Sequence, residues 1–312
     1  MKRIVNNPIF VPQPKTLSKL AFTTVGLTCK AWSSLNLWKI HGQKHFESVM
    51  NKRIVDMNKC ITFDNTFKSS DIDQLISNGI IGNNNNNNIN SNVVQIPPLL
   101  PRPLVTISNH MCNLDDPILW GRLLPFDTLC NPIHMRWTLA ASNILFTNPI
   151  YSKIFTLGKC IKTIRGDGVF QDAIDIGIEK LENGQWVHLF PEAKVNQSDE
   201  LLRFKWGIGR MIAESKVSPL ILPIYHTGLD KSMPLGKLPI PRVFKSIDIT
   251  IGKPFTCDHL LNTEIDQQTK QQLLDNMTLP YRQDPRYLRY KLITDHIESK
   301  FKQLLDFSKT LK

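Results

Sequence analysis

One short segment combines a histidine and a carboxylate at a spacing that can support acid–base chemistry. His110 and Asp115 are five positions apart, within residues 108–117. A carboxylate that accepts a hydrogen bond from one imidazole nitrogen fixes the tautomer, and the other nitrogen can then accept a proton near neutral pH. On a regular helix, positions five apart are offset by about 140°. The pair can therefore meet only where the chain departs from a helix, and it is a candidate general base with its orienting partner.

The elements on either side of this pair predict that it lies at a strand end. Residues 103–107 are apolar and β-branched, which indicates a buried strand. Asp116 and Pro117 predict a helix start, with Asp116 as the N-cap and Pro117 at the first helical position. The simplest alternative for His110 is a structural one, a histidine whose hydrogen bonds are satisfied where the strand ends.

Two other predicted strand ends carry residues that suit a polar lipid group. Arg165 and Gly166 follow a strand-like run; a guanidinium offers a planar fork of donors for phosphate, and glycine allows a bulky head group to approach. Glu192 follows a strand over residues 186–190 and can accept hydrogen bonds from glycerol hydroxyls. Each also has a structural explanation, a surface arginine in a turn and a glutamate favoured by a helix dipole.

Charge and cysteine content narrow the classes of partner. The formal net charge is +11 and the pI is about 9.4, which favours nucleic acid or anionic lipid. No zinc-finger spacing, basic heptad or aromatic RNA-binding signature is present, so we expect membrane lipid and not nucleic acid. The six cysteines are scattered and indicate mostly reduced thiols. His110 and Asp115 have no third ligand at usable spacing, so we expect no metal and no cofactor.

The N-terminal segment, residues 1–50, is predicted to associate with a membrane. Its first 46 residues contain no Asp or Glu but several Lys and Arg, which is also compatible with mitochondrial routing. Residues 20–38 lean apolar but are too polar for a confident spanning helix. Trp32 and Trp38 suit the head-group level of a bilayer, so an interfacial or re-entrant helix is predicted, with a buried core helix as the alternative.

The rest of the chain alternates strands and helices after an unusual interruption. Residues 57–96 contain an asparagine run at 83–88 and are predicted to be a disordered insert, followed by a domain over residues 97–312. Ile247, Ile249 and Ile251 alternate with polar residues, which predicts a strand with one exposed face. A proline within residues 222–226 suggests an edge or bend, and we interpret that segment as structural. The remaining elements are predicted as helices over residues 168–183 and 201–215, a strand over 219–225, and a C-terminal helix with an apolar stripe at Ile293, Ile297, Phe301 and Leu304. This alternation predicts an α/β fold with a mixed sheet flanked by helices.

In their order and spacing, these motifs resemble those of the glycerolipid acyltransferase family. The resemblance is carried by residues 108–121, 135–138, 157–160, 187–192 and the unusual run Arg-Phe-Lys-Trp-Gly-Ile-Gly-Arg at 203–210. It covers most of residues 100–230 and is looser towards both ends of the chain. Within the family, the likeness is closest to the phospholipid–lysophospholipid transacylases.

The resemblance implies a function, a location and a role for each candidate residue. Such an enzyme moves acyl chains between phospholipids and lysophospholipids, cardiolipin and monolysocardiolipin among them, without coenzyme A. It works on mitochondrial inner and outer membranes, facing the intermembrane space, and is held there by segments that do not span. By this likeness His110 would be the general base, Asp115 its orienting partner, Arg165 and Gly166 the phosphate contacts, and Glu192 the glycerol contact.

Two rival functions and one departure from the family remain open at this point. The same base would serve an acyltransferase that uses acyl-CoA, with Cys112 as an acyl-carrying nucleophile in one variant. A non-catalytic protein that gathers anionic lipid would also be basic. The family usually has glycine where this chain has Ala193, and a methyl group there would narrow the approach to Glu192 or exclude a positive φ. The motifs predict no oligomeric state.

Overall fold

A mixed β-sheet organises the chain. The computed structural model describes residues 16–66, 100–198, 200–237, 240–261, 264–278 and 281–311, with side chains in the first range described to residue 60. Seven strands in these ranges form one sheet in the order β1-β7-β6-β2-β5-β3-β4. The strands are β1 (Leu37–His41), β2 (Leu104–Ser108), β3 (Trp137–Ala141), β4 (Cys160–Thr163), β5 (Trp186–Leu189), β6 (Leu220–Thr227) and β7 (Ser246–Ile251). Only the β6–β7 pairing in this sheet is antiparallel. The predicted mixed α/β fold is confirmed.

Helices cover both faces of the sheet. Those in the described ranges are α1 (Thr16–Ser34), α2 (Gln43–Thr66), α3 (Asp115–Leu123), α4 (Phe126–Leu129), α5 (Ser142–Leu145), α6 (Pro149–Leu157), α7 (Asp172–Glu182), α8 (Gly207–Glu214), α9 (Leu229–Ser232), α10 (Asp258–Leu261), α11 (Gln267–Asp275) and α12 (Arg286–Thr310). One core cluster joins the sheet to α1, α2 and α3, and a second joins it to α7, α8 and α12. Because both faces are covered, β2 is buried along its whole length, including the polar residues Thr106 and Ser108.

Parallel pairing brings several strand ends to one edge of the sheet. β2 is flanked by β5 and β6, and β5 continues through β3 to β4, all parallel. The residues that follow β2, β5, β6 and β4 therefore emerge at the same carboxyl edge. With neighbouring strands about 4.8 Å apart, β4 lies about 14 Å from β2. His110, Glu192, His226 and Arg165 each follow or end one of these strands, so the fold places all four at this edge.

Three predicted elements differ from the observed ones. Helix α8 begins at Gly207 instead of residue 201, because tertiary hydrogen bonds hold the preceding backbone: the amide of Phe204 donates to Glu298 Oε2 at 2.9 Å. The helix predicted over 168–183 begins only at residue 172. The exposed face predicted for β7 is confirmed only in part: Ser246 is exposed and Asp248 is half-buried, but Thr250 is buried, and its hydroxyl donates to Ser308 Oγ on α12 at 3.1 Å.

The predicted N-cap of α3 is also wrong. The helix begins at Asp115, with Leu114 at the N-cap and no side-chain cap. Asp116 lies in the first turn and pairs with Arg136, which explains why it does not cap the helix. This helix start places Asp115 beside the turn that carries His110.

The N-terminal helix forms, but its tryptophans face the protein. α1 ends at Ser34, so Trp38 lies in β1, and the rings of Trp32 and Trp38 meet edge to face at 6.4 Å. The indole N–H of Trp38 donates to the Ser33 carbonyl at 2.7 Å, and both rings pack against the core cluster. Both rings are half-buried, and their predicted placement at the head-group level of a bilayer stays a prediction. Among the helices that the structure describes, none is both long and apolar enough to cross a bilayer.

The first part of the predicted insert is ordered. α2 continues to Thr66, and Met57 and Cys60 are buried against Ile133. Residues 57–66 therefore belong to a helix that packs on the domain. Residues 67–96 of the predicted insert lie outside the described residues.

Candidate active site

His110 and Asp115 meet as the sequence predicts. The Nδ1 atom of His110 lies 2.9 Å from Asp115 Oδ2. A turn ahead of α3 makes this possible, and the amide of Asp115 closes it by donating to the Cys112 carbonyl at 3.1 Å. Since the carboxylate can only accept, Nδ1 carries the proton and Nε2 is left as the acceptor. The imidazole is 17% exposed and the carboxylate 0%, so the ring faces outward from a buried anchor.

Backbone amides hold the Asp115 carboxylate in place. The N–H groups of Met111 and Cys112 donate to the same Oδ2 atom at 2.5 and 2.9 Å. Burial would raise the pKa of Asp115, but His226, His110 and the Cys112 amide outweigh it and hold that pKa below its usual range. The carboxylate is therefore ionised at neutral pH. Both amides are already engaged and are not free to stabilise an oxyanion.

A second histidine joins the pair, and the sequence interpretation missed it. Nε2 of His226 lies 3.8 Å from Asp115 Oδ2 and 3.0 Å from the Asn109 carbonyl oxygen, to which it donates. The Asn109 side chain also accepts from the His226 amide at 2.9 Å and donates to the His226 carbonyl at 2.8 Å. These three bonds fasten the residue before His110 to the end of β6. Burial lowers the pKa of His226, and the neighbouring Asp115 opposes this shift.

The position of His226 in the sheet is what indicates that it belongs to the site. Ser108 pairs with Ile224 in the parallel β2–β6 register, so the residues that follow them lie side by side. The proline within residues 222–226 favours a structural interpretation of that segment, and no local pattern links it to the His110 segment. Pairing of the two strands, which the sequence does not specify, brings His226 to Asp115.

Phe190 fixes the plane of the His110 ring. The two rings stack with centroids 4.0 Å apart and planes 19° apart. The edge of Phe190 also meets His188 at 4.6 Å, so the stacking ring is itself held in the interior. His110 is thereby oriented by a hydrogen bond at Nδ1 and by stacking on one face.

Glu192 lies next to His110 but is bound within the protein. It is 2% exposed, and its Oε1 accepts from the His110 amide at 3.4 Å. Its Oε2 accepts from the Asn196 side chain at 2.8 Å and the Leu202 amide at 3.0 Å. The amide of Asn196 in turn donates to the His110 carbonyl at 2.6 Å. The carboxylate therefore links the loop after β5 to the turn that carries His110, and contact with a glycerol group stays a prediction.

Arg165 and Gly166 lie in an exposed turn after β4. Gly166 has φ +87°, and a Cβ built there would meet no atom within 4 Å, so the turn is open to an approaching group. The structure places this turn at the same edge as His110 but does not bring it into contact with the histidine. A phosphate contact from Arg165 therefore stays a prediction.

Ala193 takes the backbone conformation that its family position requires. Its φ is +60°, in the left-handed region that favours glycine. Its amide donates to the Phe190 carbonyl at 2.9 Å, which closes a tight turn after β5. The expected exclusion of a positive φ by the methyl group is wrong, and the turn forms at the cost of local strain.

Two residues near His110, Cys112 and Asp116, are not available for catalysis. Cys112 is 1% exposed, and burial together with Asp115 strongly raises the pKa of its thiol, so it stays protonated. This argues against an acyl-carrying cysteine. Asp116 points away from His110 and forms a buried pair with Arg136, whose Nε donates at 2.9 Å; burial would raise the pKa of Asp116, but Arg136 outweighs this and lowers it.

The histidine–carboxylate pair at the carboxyl edge of this mixed sheet is a candidate active site for an enzyme of the acyltransferase class. The family model described as Acyltransferase matches residues 86–227, which contain every candidate site residue. The chain is 41% identical over 299 residues to the protein named taffazin in Dictyostelium discoideum, covering 95% of this chain and 88% of that one. It is 42% identical over 202 residues to tafazzin of Drosophila melanogaster, covering 65% and 49% of the two chains.

Another relative is named for a different acyl acceptor. The chain is 43% identical over 162 residues to the N-acylphosphatidylethanolamine synthase of Arabidopsis thaliana, covering 50% and 57% of the two chains. Together these matches show that the chain is an acyltransferase and belongs to the tafazzin family.

Proposed function

We propose that this acyltransferase is a phospholipid–lysophospholipid transacylase that remodels cardiolipin and other phospholipids without coenzyme A. The observation that carries the proposal is the His110–Asp115 pair, with Nδ1 held at 2.9 Å by a buried carboxylate and Nε2 left as the acceptor. Residues 109–115, which form the turn between β2 and α3, include no Ser, Thr or Tyr. Their one thiol, that of Cys112, is buried and protonated, so this turn supplies no nucleophile. The attacking group is therefore a hydroxyl of the acceptor lipid.

Each step of the reaction uses His110 for proton transfer. Nε2 takes the proton from the lysophospholipid hydroxyl as its oxygen attacks the ester carbonyl of the donor phospholipid. Asp115 stabilises the imidazolium that forms. The tetrahedral intermediate then expels the oxygen of the donor glycerol, which takes the proton back from His110. One ester is broken and another of similar energy is formed, so the exchange needs no activated acyl donor.

The location that we propose is the surface of mitochondrial membranes on the intermembrane-space side. The net charge of +11 and the acid-free first 46 residues support attraction to anionic lipid. Helix α1 supports a peripheral association, since it is acid-free and exposes Leu17, Leu20, Val25 and Leu27.

Acyl exchange in vesicles tests the proposal directly. Labelled phosphatidylcholine and monolysocardiolipin are mixed with the protein in the absence of coenzyme A, and labelled cardiolipin is measured. His110→Ala should abolish acyl exchange while vesicle binding persists. Cys112→Ser, the matched control two residues away, should retain acyl exchange. Exchange that survives in His110→Ala would overturn the role of the base.

Parallel arms of the same assay separate the alternatives. Transfer from labelled acyl-CoA in place of the phospholipid donor would favour an acyl-CoA-dependent enzyme. Vesicle binding without exchange from any donor would favour a non-catalytic lipid-binding protein. A phosphatidylethanolamine arm tests amine acylation, because a relative carries that name and a base that deprotonates a hydroxyl can also take a proton from an attacking amine.

A further inference from the structure

Helix α6 (Pro149–Leu157) is apolar, yet none of its residues is buried. Ile150 is 72% exposed, Tyr151 52% and Ile154 51%. Single exposed apolar residues are common on soluble proteins, but several on one short helix indicate a surface that meets another apolar phase. Ile144 before the helix and Ile164 after β4 are exposed in the same way. We refer to Ile144, Ile150, Tyr151, Ile154 and Ile164 as the α6 surface.

The helix is firmly seated, so its exposure is not fraying. Asn148 caps its first turn, with the side chain accepting from the Tyr151 amide at 2.9 Å, and Pro149 occupies the first turn. At its other end, the hydroxyl of Ser18 on α1 donates to the Leu157 carbonyl at 2.9 Å. The fold therefore holds α6 in a fixed position beside α1, with its apolar side chains exposed.

The α6 surface borders the candidate active site. β3 and β4 are parallel neighbours, so the connection between them starts at the carboxyl edge of the sheet and returns to the other edge. Ile150 and Tyr151 near the start of α6 therefore lie closer to the carboxyl edge than Leu157 does. Ile164, directly before Arg165, emerges at that same edge. The apolar surface thus continues towards the turn that we expect to contact a lipid phosphate.

The charges around this surface fit an anionic bilayer. Neither α1 nor α6 contains an Asp or Glu, whereas Lys19, Lys153, Lys162 and Arg165 are exposed among the apolar side chains. Apolar residues with a basic rim are typical of elements that lie in a lipid interface. A second copy of the chain on this surface would bring basic groups against basic groups, which disfavours a dimer here.

We propose that the α6 surface, together with the N-terminal half of α1, docks in the head-group region of an anionic bilayer. The inference rests on the proposed function only in taking bilayer lipids as the substrates. Docking in this way turns the β3–β4 side of the carboxyl edge towards the membrane. A lysophospholipid hydroxyl then reaches His110 by lateral movement, without the acyl chain leaving the bilayer.

Vesicle binding of paired variants tests the docking surface. Ile150→Glu/Ile154→Glu is compared with Val217→Glu/Phe307→Glu, two apolar residues of similar exposure (51% and 54%) outside the α6 surface. With phosphatidylcholine vesicles containing cardiolipin, the α6 variant should lose at least ~10-fold in partition coefficient and the control should lose little. Ile150→Gln/Ile154→Gln, which adds no charge, should show the same direction of change.

Two further measurements keep the test decisive. His110→Ala should bind vesicles as the unmodified chain does, so a failure of the catalytic proposal would leave this result intact. Tyr151→Trp should show a blue-shifted emission with vesicles and quenching by brominated lipids, whereas Phe307→Trp should show neither. Equal binding by the α6 and control variants, or no quenching at position 151, would overturn the proposal. Loss of a dimer in sedimentation by the α6 variant alone would instead identify a second copy as the occupant.

Discussion

Removing the charge of Asp115 while keeping its shape separates electrostatics from positioning. In Asp115→Asn the amide oxygen can occupy the place of Oδ2 and still accept from His110 Nδ1 and the amides of Met111 and Cys112. The new NH₂ group then takes the place of Oδ1, which has no protein partner among the described residues. The turn that carries His110 should therefore keep its geometry, while the negative charge beside the imidazole is lost.

The expected loss of rate follows from the distance between the two groups. Two unit charges about 4 Å apart interact with about 4 kcal/mol at an effective dielectric constant of about 20. Since each ~1.4 kcal/mol of transition-state stabilisation is a factor of ten in rate, kcat for exchange should fall by about a thousandfold. The free energy of unfolding should fall by only about 1–3 kcal/mol, the cost of one unsatisfied buried amide group.

Asp116→Asn is the matched control at the adjacent position. Asp116 pairs with Arg136, and both side chains are mostly buried, so the variant leaves a buried guanidinium without its anion. Loss of such a partner typically costs about 3–5 kcal/mol of stability. We therefore expect Asp116→Asn to lower stability sharply but to keep kcat per folded molecule. Acyl exchange at saturating lipid and urea unfolding are measured for both variants. Exchange by Asp115→Asn within tenfold of the unmodified chain would refute the electrostatic role of this carboxylate.

Three further predictions concern strain, positioning and pH. Ala193→Gly should raise the free energy of unfolding in urea by about 0.5–1 kcal/mol, because glycine adopts the left-handed conformation of residue 193 without strain. A lower free energy of unfolding in this variant would contradict the proposed strain. His226→Leu should lower kcat at unchanged KM, and His226→Gln, whose Nε2 can donate to the Asn109 carbonyl, should restore much of it; equal losses in both would exclude a positioning role. Burial lowers the pKa of His188 to about 3 from 6.5, so the unfolded state binds the extra proton between these values. The contribution of His188 to stability should therefore be full above pH 6.5 and fall by about 1.4 kcal/mol per pH unit as the pH drops below it. Burial also lowers the pKa of His134, His226 and His296, so His188→Asn should reduce the slope measured in urea titrations by about this amount without abolishing it.

The sequence alone was sufficient for those features that rest on local pattern. The β-branched run before His110 predicts a buried strand, and β2 is buried along its whole length. The apolar stripe of the C-terminal segment predicts a helix with one buried face, and Ile293, Ile297 and Phe301 are all fully buried on α12. His110 and Asp115 are close in the chain, so a turn between them was enough to predict that they meet.

Features that depend on partners distant in the chain were not predictable in this way. The helix predicted from residue 201 starts late because Glu298, far along the chain, binds the Phe204 amide. Thr250 looks solvent-facing in its alternating strand, but α12 covers it. The carboxylate of Glu192 accepts hydrogen bonds from the backbone amides of His110 and Leu202, which local pattern did not predict.

The primary sequence determined the strands, the long helices and the proximity of the imidazole to its carboxylate, because hydrophobic periodicity and short spacing act over a few residues. Only the tertiary structure decided that His226, 117 residues after Asn109, would hold the turn that carries His110. It also decided that α6 would be left uncovered. Strand pairing and helix packing bring together segments that are distant in the chain, and neither segment's sequence specifies its partner. The polar groups that become buried at these contacts must then form hydrogen bonds there.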